Sequence, residues 1–336
     1  MRLDSVRELK KSLPLHLERT FAAKRGALRA ASAAVANAAS RRRTAPSFFL
    51  GVSAKGKRKY CLAVRLQDRA LEKSALVEEI SARARGEVDV RYVGQIRARA
   101  ASSLWYRSTQ RPLLIGSSVG YLATGYIMAG TLGCFVRKAG ASLYILSNNH
   151  VLADENRYTV GNPIVQPGPL DGGNASSDRA AKLSAFVRLT ATGTNLVDCS
   201  IAKLNAGITE DHSLLKGIGK LAGVRARDLE IGDVVHKVGR TTGVRHGRVT
   251  AVELDGVSVG YDIGNLSFDN QLEIEGAGAQ SFSDAGDSGS LIVDDELKAA
   301  GLLFAGGDHG GRNGKGLTYG NPIHAVLSAL GVALAY

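Results

Sequence analysis

From about residue 112 the chain is a succession of short apolar runs separated by Gly, Asn and Asp. The runs read "GCFVRK", "LYILSN", "SIAKLN", "VVHKVG", "GRVTAVEL", "SLIVDD" and "AGLLFAGG". Runs this short suit strands better than helices, and the residues between them are turn formers, so the region reads as a β-barrel or sandwich. The composition agrees: 336 residues with 40 Gly, 6% aromatics, 44% hydrophobic and 22% charged side chains allow a large core spread over two or three domains. Only the last stretch, "NPIHAVLSALGVAL", reads as a helix over about 322–334, with Asn321 as N-cap and Pro322 at the first helical position.

The first third is different. Residues 1–45 read as a basic helical segment: Ser5 and Glu8 make a capping box, Pro14 is expected to kink or end the first helix, and an Ala-rich helix around 21–39 runs into Arg41, Arg42 and Arg43. Residues 46–110 read as a small β-β-α-β domain. "SFFLGVSA" and "YCLAVRLQ" are joined across "KGKRK", "ALEKSALVEEISARAR" supplies a helix, and "EVDVRYVGQI" closes with a strand.

The net charge of +12 is confined to this part. Residues 1–111 carry 25 Lys and Arg against 9 Asp and Glu, whereas residues 112–336 carry 18 against 22. A basic face can meet nucleic acid, anionic lipid or an acidic protein, and it can equally be a solvated surface. No aromatic interleaving supports nucleic-acid binding by residues 1–45. The Arg-, Ala- and Ser-rich start resembles an organelle transit peptide, against which Asp4, Glu8 and Glu18 weigh.

Leu113 to Val136 is uncharged for 24 residues, but its five glycines favour buried strands over a membrane span. Cys61, Cys134 and Cys199 are isolated and odd in number. They read as small hydrophobes in a reducing compartment, which implies a cytoplasmic location. Histidines and carboxylates show no metal-ligand spacing, so neither a metal nor a cofactor is expected.

Three sites carry candidate chemistry. "SFSDAGDSGSLIV" sets Asp287 and Ser288 between two glycines ahead of an apolar strand. This is either an ordinary β-turn or a nucleophile presented on a loop. A serine hydroxyl needs a base, and the base needs a carboxylate to fix its tautomer. "LYILSNNHVLAD" delivers His150 from the end of an apolar strand, and "NLVDCSIAKL" sets Asp198 among apolar residues, where a buried carboxylate requires a partner. Each alone is as readily structural. "KVGRTTG" lacks the order of a phosphate loop and precedes a strand.

The order His150, Asp198, Ser288, at separations of 48 and 90 residues, resembles the chymotrypsin/trypsin-like serine proteases, as does "GDSGS". Ser290 and Leu291 replace that family's usual Gly-Pro, and no cysteine follows the histidine. "GTLGCFVRKAGASLYILSNNHVLAD", "GNPIVQPGPLDGG", "HKVGRTTGVRHGRVT" and "GDSGSLIV" are closest to intracellular bacterial and plant Narrow-leaf-type members, over roughly residues 46–336.

The resemblance implies a mainly β, trypsin-like double β-barrel with a C-terminal helix. Barrel one would span about 111–212 and barrel two about 213–322 of a protease domain at 111–336. It implies a Ser288–His150–Asp198 triad, an oxyanion hole formed by the Gly286 and Ser288 backbone N–H groups, and a substrate site lined by Phe282, Ser283, Phe304, Ala305 and Gly306. Phe282 stands where trypsin-type members carry an acid, which implies an apolar or small residue at the cleavage site.

In secreted relatives the acid matching Asp287 is neutralised by a new N-terminus. Here "STQRPLLIGSSVG" offers only Arg111, blocked by Pro112, so Asp287 is expected to find an internal partner, or activation to depend on the N-terminal region or a bound partner. The implied function is a regulated serine endopeptidase acting on a protein or peptide through an acyl-enzyme. The alternative is a catalytically silent trypsin-fold binding or scaffold protein that uses its basic N-terminal third.

Overall fold

The computed structural model describes residues 1–14, 16–17, 48–56, 59–94, 105–122, 127–138, 140 and 142–336. The expected Ala-rich helix at 21–39 and the three arginines after it lie outside them. The chain is mainly β, as its short apolar runs demand, and most strands belong to two large sheets, antiparallel except where Lys59–Leu66 pairs in parallel with Val88–Tyr92.

The second half forms a closed barrel. In hydrogen-bonded order its strands are Val234–Gly239, Leu291–Asp294, Ala299–Gly307, Leu317–Pro322, Gln271–Gly276 and Gly243–Asp255. The last pairs back onto the first, from Val234 opposite Arg248 to Gly239 opposite Gly243. Closure leaves the barrel without an exposed edge along that seam.

The first half is a curled sheet of eight strands ordered Ala333–Ala335, Cys134–Arg137, Leu143–Ser147, Ser200–Leu204, Arg179–Phe186, Pro163–Val165, Ser118–Tyr121 and Gly130–Thr131. Its two end strands do not pair, so it is a half-barrel. The uncharged stretch from Leu113 to Val136 supplies several of its strands, and no helix among the described residues is long and apolar enough to cross a membrane. One apolar cluster spans the seam between the halves: Phe135, Ile145, Leu146 and Ile201 pack with Leu291, Val293 and Leu302, and with Ile323, Val326 and Leu330 of the final helix.

That helix runs Ile323–Leu330, shorter than expected, because Gly331 at φ +62° ends it and residues 333–335 return as a strand beside Phe135–Arg137. Pro322, not Asn321, occupies the N-cap. The Asn321 side chain is committed elsewhere, as described below.

Strands Phe48–Gly56, Lys59–Leu66 and Val88–Tyr92 extend the second sheet, since residues 50–53 pair with the far end of Gly243–Asp255. Helix Ala75–Arg83 lies between the second and third, started by Ser74, whose hydroxyl accepts from the Val77 N–H. A 3₁₀ turn, Arg69–Lys73, replaces the first part of the helix expected there. Residues 3–14 are helical, and so are residues 16 and 17. Helical residues begin before Ser5, which places the Ser5–Glu8 pair inside the helix rather than at its cap. Val6, Leu13 and Leu17 pack onto Leu50, Leu62 and Ile80. Arg65 and Glu273, both fully buried and 2.6 Å apart, tie this unit to the second barrel.

Candidate active site

Strand Leu143–Ser147 runs out of the core and passes into a single helical turn, Asn149–Leu152. This turn places His150 at the seam between the halves. Asp198 precedes strand Ser200–Leu204, which pairs with Leu143–Ser147, so the register of two adjacent strands sets histidine and carboxylate side by side. His150 Nδ1 lies 2.5 Å from Asp198 Oδ2. Oδ1 accepts the Asn149 N–H at 2.6 Å, and Oδ2 also accepts the Tyr261 hydroxyl at 2.7 Å. The Asp198 backbone N–H donates to Asn321 Oδ1 at 3.0 Å, and Asn321 Nδ2 donates to Gln271 Oε1 at 2.6 Å. Burying a carboxylate is costly unless hydrogen-bond donors replace its water, and Asn149, Tyr261 and His150 surround this one. With Nδ1 engaged, His150 presents Nε2 as its second ring nitrogen. That atom is buried and has no hydrogen-bond partner among the described residues.

Ser288 sits on the loop between strands Gln271–Gly276 and Leu291–Asp294. Both halves of the molecule grip this loop. From the first half, the Thr131 N–H donates to Ser288 O at 2.8 Å and the Thr131 hydroxyl donates to Gly286 O at 2.9 Å. From the second, the Thr241 hydroxyl donates to Ala285 O at 2.5 Å. The His150 turn is packed against the same loop. A Cβ placed on Gly130 would lie 2.5 Å from Val151 Cγ2 and 3.0 Å from Ser288 O, so only glycine allows the approach.

Gly286 has φ +88°, a conformation open to glycine without strain. Neither the Gly286 nor the Ser288 backbone N–H donates to an acceptor among the described residues. The Ser288 hydroxyl donates to Phe304 O at 3.4 Å and is not hydrogen-bonded to His150.

Asp287 is fully buried, and so is its counter-charge, Lys237, whose Nζ lies 2.8 Å from Asp287 Oδ2. The Thr241, Thr242 and Asp284 N–H groups and the Thr242 hydroxyl also donate to the carboxylate, at 2.7–3.1 Å. Burial alone would raise the Asp287 pKa. The Lys237 ammonium and the donated hydrogen bonds outweigh it and hold the carboxyl below its ordinary range. The internal partner expected for Asp287 is therefore present. Lysine at the core-facing position two residues after Val235, in "VVHKVG", was the signal that could have named it.

The residues expected to bind substrate fall into two groups. Phe304, Ala305 and Gly306 lie on strand Ala299–Gly307, one side of which pairs with Leu317–Pro322. On the other side, strand pairing stops at Leu302, so residues 304–306 have an edge that no strand covers among the described residues. Phe304 also lines a cavity of about 350 Å³ together with His150, Tyr261, Met128 and Tyr121. Phe282 is buried in the second barrel's core, packed against the backbone at Gly247 and Gly276. Ser283 shares a hydrogen bond of 2.7 Å with Thr318. The three cysteines are buried and unpaired, and burial pushes the Cys134 thiol up to about 12. Sequence reasoning did not name Lys237 or Tyr261, and it read Asn321 only as a helix cap.

No protein-family model matches the sequence, and no curated protein matches it. Among solved structures, the chain is similar to Thermobifida fusca protease A at 17% identity and TM-score 0.45, over 66% of this chain and 97% of that one. It is similar to a glutamic-acid-specific serine protease at 21% identity and TM-score 0.48, over 66% and 100% of the two chains. A third, alpha-lytic protease homolog N4, matches at 22% identity and TM-score 0.44, over 66% and 100%.

Proposed function

We propose that the chain is a serine endopeptidase that cleaves a protein or peptide through an acyl-enzyme on Ser288. The observation that carries this reading is the buried His150–Asp198 pair at the seam that also holds the Ser288 loop, with His150 Nε2 left without a partner among the described residues. In unliganded enzymes the serine–histidine bond is often unformed and tightens only with substrate, so the present Ser288 bond to Phe304 O is compatible with the role.

His150 Nε2 takes the Ser288 proton as Oγ attacks the scissile carbonyl. Asp198 holds the imidazole tautomer and stabilises the imidazolium. The Gly286 and Ser288 N–H groups hold the developing oxyanion, each worth about 3–4 kcal/mol in the transition state. The imidazolium then protonates the leaving amine, and water, activated by the same base, releases the acyl group. The uncovered edge at Phe304, Ala305 and Gly306 receives the substrate backbone as an added strand.

The sequence stretches quoted above resemble intracellular bacterial and Narrow-leaf-type proteins, and we propose the cytoplasm as the site of action. A fluorophosphonate probe tests the reading. Wild type is expected to label at one site and Ser288→Ala not at all. A folded wild type that does not label would leave the silent binding protein as the better account.

A further inference from the structure

Tyr261 closes a hairpin formed by strands Val257–Tyr261 and Gly264–Phe268, with Val257 opposite Phe268 and Tyr261 opposite Gly264. The base of the hairpin is apolar: Val257, Val259, Leu266 and Phe268 are buried with Phe304 and Tyr319. Its tip reaches the other half of the molecule. There the Glu155 carboxylate accepts the N–H groups of Asp262 and Ile263 at 3.1 and 2.9 Å. Arg157 bridges Asp154 and Asp262 at 2.7 and 3.0 Å. The segment that carries these groups follows directly on the His150 turn.

That segment is strained. Asp154, Glu155 and Asn156 are consecutive non-glycine residues at φ +47°, +52° and +78°. Left-handed conformations in such residues persist only where the surroundings over-determine them. Here they do. The Tyr121 hydroxyl donates to Asp154 at 2.6 Å, and Asn156 exchanges hydrogen bonds with Asn149 at 2.9 and 3.0 Å and with the Leu189 backbone at 2.9 and 3.0 Å. The outcome of this bend is a carboxylate aimed at the hairpin tip.

The hairpin delivers the Tyr261 hydroxyl to Asp198 Oδ2, the oxygen that also faces His150 Nδ1, while the Tyr261 ring stands edge-on to the imidazole with centroids 5.7 Å apart. Burial first, then the Asp198 charge beside it, pushes the phenol well above its ordinary range, so it remains a donor. We infer that Tyr261 is a positioning residue for Asp198, and that the Glu155–Arg157 clasp on the hairpin tip sets how firmly it holds that carboxylate. The inference rests on the proposed triad and assigns that triad a fourth member acting through Asp198.

The test is the inactivation kinetics of the full chain with a fluorophosphonate, separated into kinact and KI. Tyr261→Phe keeps the ring and removes only the hydroxyl. It is expected to lower kinact about tenfold to a hundredfold, the range for losing a hydrogen bond to a charged group. KI is expected to stay within about twofold, because the cavity wall is unchanged. Glu155→Gln is expected to lower kinact several-fold, and the double variant to be little slower than Tyr261→Phe alone, since the two act in series.

Wild-type kinact in folded Tyr261→Phe, or losses that simply multiply in the double variant, would overturn the inference. Should Tyr261→Phe not fold, Glu155→Gln decides: an unchanged kinact overturns it. A second readout separates this claim from the proposed function. The proton between His150 and Asp198 should give a far-downfield NMR resonance that moves in Tyr261→Phe even when Ser288 is replaced by Ala. A wild type that does not label but whose resonance moves would fail as a protease and still support the positioning role. A resonance that stays put would count against Tyr261 alone.

Discussion

The Lys237–Asp287 pair shows at the scale of single residues how the chain keeps charge inside its core. Each partner is fully buried, and each would be costly alone. Lys237→Met should therefore destabilise the protein by about 3–5 kcal/mol, because it strands a carboxylate without its counter-ion. A guanidinium or urea midpoint measures this, and labelling of Ser288 should fall with it, since Asp287 is the residue before the nucleophile. The acid response follows from the same pair. The folded Asp287 carboxyl is held below its ordinary value, so its stabilisation is complete above the unfolded carboxylate value of about 3.9. It is lost as the pH falls through the lower folded value. The difference in midpoint between wild type and Asp287→Asn should be constant above about pH 5 and narrow below about pH 4. Asp287 was legible in the sequence as a residue in need of a partner. Lys237 was legible only as a lysine in an apolar strand, because charge does not reveal which strand will lie opposite.

At the scale of elements, the site is assembled where strands end. His150 and Asp198 meet because two neighbouring strands stop in register, and the short apolar runs of the sequence announced both strands. The final helix was legible as a helix, but its start was misjudged. Asn321 has the side chain of an N-cap, yet the backbone N–H of Asp198 and the Gln271 amide claim it. A capping preference is worth about 1 kcal/mol, less than leaving a buried N–H without an acceptor can cost. Asn321→Leu should lower the melting temperature by the equivalent of about 1–3 kcal/mol. It should also slow fluorophosphonate labelling, because Asp198 loses its backbone anchor. The hairpin that carries Tyr261 left no trace of its role in the sequence: no local pattern records that a tyrosine at a strand end will meet an aspartate 63 residues earlier.

For the whole molecule, the extension of the second barrel by strands Phe48–Gly56, Lys59–Leu66 and Val88–Tyr92 matters most. The β-β-α-β order of this unit was readable from period-two patterns and helix formers. Its pairing with Gly243–Asp255 was not, because strand edges carry no address in the sequence. Removing residues 1–94 should expose that edge and leave Glu273 buried without Arg65. The truncated chain is expected to aggregate or self-associate on size-exclusion chromatography where the full chain does not.

The amine that balances Asp287 is part of the same barrel and arrives with it. The Asp287 charge is therefore balanced without a newly cut N-terminus being brought to it.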